Sequence, residues 1–263
     1  MQSITYLFWA GILAVLMMAL WDCARWPRQT TAAWNRFRPV ALAVGVVALV
    51  FFLVNFVRFG GADSGHLLRL ALRFVSVALG SSIFYCAGWP WVARAGHVGL
   101  LERVRRRLAG LSTPSARRAM VETAAVAAAI VGFSWLLLLS VKTEPSAAFR
   151  ELFKSPDSLE TRSGYVFLYV ALAAVWEETV FRWYLLNRIE EALGGWRGAH
   201  WAAILATAAF WACGHAAVTV PFWVKLVQIF AVGCLLAWRF RVIGLSGCVL
   251  AHMTMNVAAF SLP

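Results

Sequence analysis

Charge is scarce in this sequence. Asp, Glu, Lys and Arg make up 14% of its 263 residues, and only twelve are acidic, against 62% hydrophobic residues. That balance excludes an ordinary soluble domain, in which about a quarter of residues are charged. Paired cysteine spacings are missing too. Cys23, Cys86, Cys213, Cys234 and Cys248 are scattered, which argues for small apolar packing residues rather than a disulfide or metal framework. No HExxH occurs, no internal repeat or low-complexity tract is present, and Ser246 in "GLSGC" has no base partner that would make it a nucleophile. Alternation of apolar and polar residues, the mark of a transmembrane β-strand, is absent.

Long apolar runs are there instead. A bilayer core about 30 Å thick takes about 20 helical residues per crossing, and eight segments qualify: 4–21, 39–57, 70–92, 123–141, 165–186, 199–218, 222–238 and 242–260. The expected fold is all-α, a polytopic membrane helical bundle of about eight transmembrane helices. The first run lacks a basic start and a small-residue cleavage pattern, so it reads as a retained anchor rather than a signal peptide.

A formal net charge of +12 raises the question of nucleic acid, and its location answers it. Segment 94–120 holds seven arginines and one glutamate between two spans, as cytoplasmic loops do. The partner it implies is anionic lipid headgroups, not nucleic acid. Taking alternate loops together, 22–38, 94–120, 187–197 and 239–241 hold fifteen Lys and Arg, while 58–69, 142–164 and 219–221 hold six. The positive-inside rule then makes the first set cytoplasmic and puts both termini outside. The polar loop 143–164 divides an amino-terminal four-span region, 1–142, from a carboxy-terminal four-span region, 165–263, within one integrated membrane domain.

Ionisable residues distinguish the two regions. Span five carries Glu177, Glu178 and Arg182, span six His215, and span eight His252 with Asn256. Three charges mid-membrane cost about 8 to 10 kcal/mol, and the ten Leu, Val and Phe residues of span five recover only about 3 to 6 kcal/mol. This helix therefore needs neighbouring spans or a wet cavity to face. Glu178 and Arg182 are four residues apart, on one helical face, and can pair. Glu177 points about 100° away from Glu178, so the expected division has Glu178 and Arg182 fixing local structure while Glu177 faces the cavity. His252 and Asn256 share a face, as do Trp211 and His215. Counted at about 1.5 Å per residue, Glu177 and His252 overlap near mid-membrane, with His215 nearer the outer side. A carboxylate with a histidine can take a proton from water, and an imidazole with a carboxamide can donate to a developing oxyanion.

These residues resemble a known family. "EETVFR", "WACGH" and "HMTMN" are similar, in order, to the EExxxR, FxxxH and HxxxN motifs of the CAAX protease and bacteriocin-processing (Rce1-like, Abi) family of glutamic-type intramembrane endopeptidases. The resemblance covers about residues 165 to 260. It implies that Glu177 and His215 activate water, that His252 and Asn256 form an oxyanion hole, and that Glu178 and Arg182 are structural support, with no cofactor. It also implies a membrane-anchored protein or peptide substrate, cut near its carboxy-terminal region, and a multi-pass protein of the bacterial inner membrane. Trp211 departs from the pattern by standing at the phenylalanine position; Phe210 is out of register there. Two other readings stay open: zinc hydrolysis with Glu177, His215 and His252 as ligands, and a non-enzymatic scaffold, immunity or transport protein that keeps the motifs for structure.

Overall fold

The structure is a computed structural model that describes residues 2–36, 38, 64–94, 114–146, 170–194 and 196–260. The expected second span, 39–57, the loop 147–164, the start of the fifth span and most of the basic loop 94–120 lie outside the described residues. What is described is almost entirely helical: α1 (Gln2–Arg25), α2 (27–36), α3 (Ser64–Arg94), α4 (Pro114–Ser140), α5 (170–192), α6 (Ala199–Gly214) and α7 (Phe222–Phe260). Two short strands, β1 (Glu144–Pro145) and β2 (Thr219–Val220), pair antiparallel.

Four stretches among the described residues are long and apolar enough to cross a membrane: Ile4–Arg25, Val75–Ala93, Arg117–Ser140 and Phe222–Ala259. They agree with the expected first, third and fourth spans and with the last two taken together. The chain is an integral membrane protein. The sixth expected span, 199–218, is shorter than predicted, because α6 ends at Gly214 after 16 residues.

The last two spans are two arms of α7 that fold back on each other without a loop. The Cys248 thiol approaches the Leu236 carbonyl at 3.7 Å, whereas twelve residues of straight helix would separate them by about 18 Å. The reversal is made at Gly244, with φ 68° and ψ −178°, a conformation open to glycine alone. Close packing continues past the turn: a Cβ on Gly247 would lie 2.7 Å from Ile243 Cβ and 2.8 Å from Thr123 Oγ1. Equal helical steps along both arms from the 236–248 contact bring Gln228 level with Asn256.

Cross-element contacts sort to the two ends of the bundle as the alternation of loops requires. At one end Asp22 pairs with Arg188 at 3.2 Å, Glu122 with Arg239 and Glu190 with Arg241, while Trp91 donates to Glu191. At the other end the β1–β2 ladder ties the segment after α4 to the segment before α7, and Ser146 donates to the Ala217 carbonyl at 2.5 Å. Between these ends lies one apolar core, in which Phe84, Phe181, Tyr184, Trp211, Phe240 and Ile243 are fully or nearly fully buried. α7 packs chiefly on α4 and α6, and the middle of α5 packs on α3.

Candidate active site

The acids sit where α5 changes its winding. From Thr179 to Leu185 the helix is π-helical, with all seven residues buried, and the Leu186 N–H reaches back five residues to the Phe181 carbonyl. Asn187 Nδ2 donates to the carbonyls of Arg182, at 3.2 Å, and Trp183, at 2.8 Å, so backbone groups loosened by the wider turn keep a partner. Single π-turns of this kind mark functional sites in many helices. Here the wider turn directly follows the two glutamates.

Glu178 and Arg182 form the expected i,i+4 ion pair, at 3.2 Å, with both side chains buried. The guanidinium also lies 4.0 Å from the Trp211 ring centroid, a cation–π contact that partly replaces water around the charge. Its two Nη atoms donate no hydrogen bond among the described residues, and Glu178 Oε2 accepts none. Arg182 is therefore held by charge and stacking rather than by a full set of hydrogen bonds.

Glu178 does more than expected of it. Its Oε1 also meets Nδ1 of His252 at 2.9 Å, and a carboxylate partner assigns the proton to Nδ1. His252, 2% exposed, thus has one ring nitrogen on each glutamate, since its Nε2 lies 3.9 Å from Glu177 Oε2. Beyond its pair with Arg182, Glu178 thus also meets the partner helix, which approaches closely enough for one imidazole to span both acids.

His215 arrives from the C-cap of α6. Its Nδ1 faces the Trp211 carbonyl at 3.1 Å, which can only accept, so this nitrogen too carries hydrogen. Its Nε2 lies 3.8 Å from the same Glu177 oxygen. Trp211 completes the cluster by donating its indole N–H to Glu177 Oε2 at 2.5 Å, and its ring makes edge contacts with both imidazoles. Phe210 faces elsewhere, onto Phe8 and Phe181. Gly214 has the small size its position demands, since a Cβ would strike the Phe8 ring at 2.5 Å.

The structure thus gathers Glu177, Glu178, Arg182, His215 and His252. Asn256 stands one turn beyond His252, half-buried, without a hydrogen bond to these groups. Two side chains that the motifs do not contain also belong here. Lys225 is near enough to Glu177 and His215 to act on both electrostatically, and it donates to the buried Gln228 at 2.8 Å. A lysine three residues inside an apolar helix matches no motif; its three-residue spacing from Gln228 is the signal the sequence offers.

Residues 161–258 match the family model described as type II CAAX prenyl endopeptidase Rce1-like. The match covers 98 of the 263 residues. Neither the curated proteins nor the solved structures offer a match to this chain. The matched stretch holds every residue of the Glu177 cluster, from the carboxylates of α5 to His252 of α7.

Proposed function

We propose that the protein is an intramembrane endopeptidase that hydrolyses a peptide bond in a membrane-anchored protein or peptide near its carboxy-terminal region, without a covalent intermediate. The observation that carries this reading is the convergence of two imidazole Nε2 atoms on one oxygen of Glu177, at 3.8 and 3.9 Å. Those gaps exceed direct hydrogen bonds and suit a water that donates to the carboxylate and to Nε2 of His215 at once. Proton transfer to this pair leaves hydroxide-like oxygen to attack the carbonyl. The leaving amine then recovers the proton.

His252 and Asn256 supply the oxyanion donors in this scheme. For Nε2 of His252 to donate while Nδ1 keeps its bond to Glu178, the ring must be an imidazolium, and the Glu178 carboxylate supports that charge. Asn256, level with Gln228 across the hairpin, offers a carboxamide N–H from the same helical face. Arg182 balances Glu178 beneath them. Burial in the bundle strengthens each of these electrostatic contacts.

In this proposal side chains alone carry the water chemistry. Cleavage that survives a chelator supports this; loss on chelation, restored by added zinc, would favour the metalloprotease. The proposed setting is a bacterial inner membrane with the basic loops cytoplasmic, where Arg117, Arg118 and Arg239, lining one open groove, meet anionic headgroups.

The decisive experiment compares membrane-protein termini, by mass spectrometry, in cells carrying the wild type or folded Glu177→Ala. The expected result is one defined new terminus present only with the wild type. Identical termini in both would support the scaffold, immunity or transport reading.

A further inference from the structure

Two polar side chains on the first turns of α7 have no part in the water chemistry. Gln228 is fully buried, and the Lys225 ammonium donates to its Oε1 at 2.8 Å. Because an ammonium has no acceptor, this contact fixes which end of the carboxamide faces Lys225. Nε2 is left as a buried donor without a hydrogen-bond partner among the described residues. Lys225 spends one N–H on Gln228, and no carboxylate among the described residues stands within ion-pair distance of it.

Both donors belong to one spot, since the nitrogen and oxygen of a carboxamide share a carbon. A buried amide N–H without an acceptor is costly, and the half-buried ammonium beside it keeps further N–H groups to offer an anion. One ligand serves both. It must accept from two neighbouring donors and carry a single negative charge, as a carboxylate does; a phosphate monoester brings closer to two charges, and a lipid phosphodiester, though singly charged, belongs at the headgroup level rather than beside Glu177. The position fits a substrate group, because Lys225 is electrostatically coupled to Glu177 and His215 and Gln228 is level with Asn256.

We propose that Lys225 and Gln228 bind a carboxylate of the peptide substrate beside the scissile bond, an inference that rests on the hydrolase reading for the peptide nature of the ligand. The carboxylate comes either from the peptide's carboxy-terminus or from an acidic side chain. In the first case the enzyme cuts close to the chain end and releases a short peptide acid.

The test uses the full chain in lipid nanodiscs and a myristoylated apolar pentapeptide in three forms: carboxy-terminal acid, carboxy-terminal amide, and amide with one internal glutamate. Affinities are measured in a Glu177→Gln background, which removes turnover, and compared with Glu177→Gln/Lys225→Met and Glu177→Gln/Lys225→Arg. At least one carboxylate form is expected to bind about tenfold tighter than the plain amide, as one charge-assisted hydrogen bond allows. Lys225→Met brings that ratio to about one, and Lys225→Arg keeps most of it. The ratio is taken within one protein, so partial unfolding of a variant cancels.

Equal affinity for all three forms, or a preference that survives Lys225→Met, overturns the proposal. Tight binding of the acid alone assigns the terminal carboxylate, and tight binding of the glutamate amide assigns the side chain. Cleavage by the wild type is read separately. A carboxylate preference without cleavage keeps this site and removes the hydrolase; cleavage indifferent to the carboxylate does the reverse.

Discussion

The indole N–H of Trp211 donates a 2.5 Å hydrogen bond to Glu177 Oε2, the oxygen on which both imidazoles converge. Phenylalanine, the residue the family resemblance leads one to expect there, has no donor. In this chain the position fixes the carboxylate as well as packing beside it.

Trp211→Phe keeps the aromatic bulk and deletes that bond. A hydrogen bond to a charged group is worth about 1.5–3 kcal/mol, so kcat/KM is expected to fall about 10- to 100-fold. Thermal unfolding in detergent checks that the variant is folded, and unchanged kinetics would remove the indole from the positioning of Glu177.

Glu177→Gln and His215→Ala each delete one member of the water-activating pair, and each is expected to lower kcat by about 10²- to 10⁴-fold. The double variant should lose little more than the worse single one, because the two groups act on one water. Additive losses, measured with a cleavable membrane-tethered peptide, would mean that they act separately.

Glu178 and Arg182 are a buried pair, and breaking one costs more than removing both. Glu178→Gln or Arg182→Met alone is expected to destabilise the fold by about 3–5 kcal/mol, with the double variant recovering part of that loss. Thermal unfolding in nanodiscs measures the cycle. Strict additivity would show that Arg182 answers to Trp211 and not to Glu178.

At the bundle end, outside the spans, Glu190 carries a readable pH signature. Burial pushes its carboxyl up, but the hydrogen bond and charge of Arg241, helped by His200, hold it below its ordinary value of 4.5. A depressed folded value adds stability above the unfolded value and loses it as pH falls through the folded one. Wild type should therefore lose stability on acidification below about pH 4.5 more steeply than Glu190→Gln. Parallel unfolding curves for the two proteins would contradict this.

Much of this site is legible in the chain because helices impose fixed intervals. The four-residue spacing of Glu178 and Arg182 yields their pair, and "HMTMN" yields the face shared by His252 and Asn256. Length and hydropathy alone mark α1, α3 and α4. What a helical wheel misses is the neighbouring helix. It separates Glu177 from Glu178 by about 100° and so divides their duties, yet His252 is near enough to touch both. The count of depth set His215 apart from Glu177 because it assumed upright helices, whereas the structure brings them to 3.8 Å. Trp211 was visible only as a departure from a pattern, since no sequence rule says where an indole N–H points. Lys225 and Gln228 are legible as an i,i+3 pair on one helix, but their nearness to Glu177 and His215 depends on the neighbouring helices and is not.

The absence of any loop at Gly244 has mechanical weight. His252 and Asn256 ride on one prong of α7, Lys225 and Gln228 on the other, and the turn at Gly244 joins them. If the proposed roles hold, the spacing between the group that takes the peptide's carboxylate and the group that takes the oxyanion is set by that one glycine, and a side chain placed there would upset both at once.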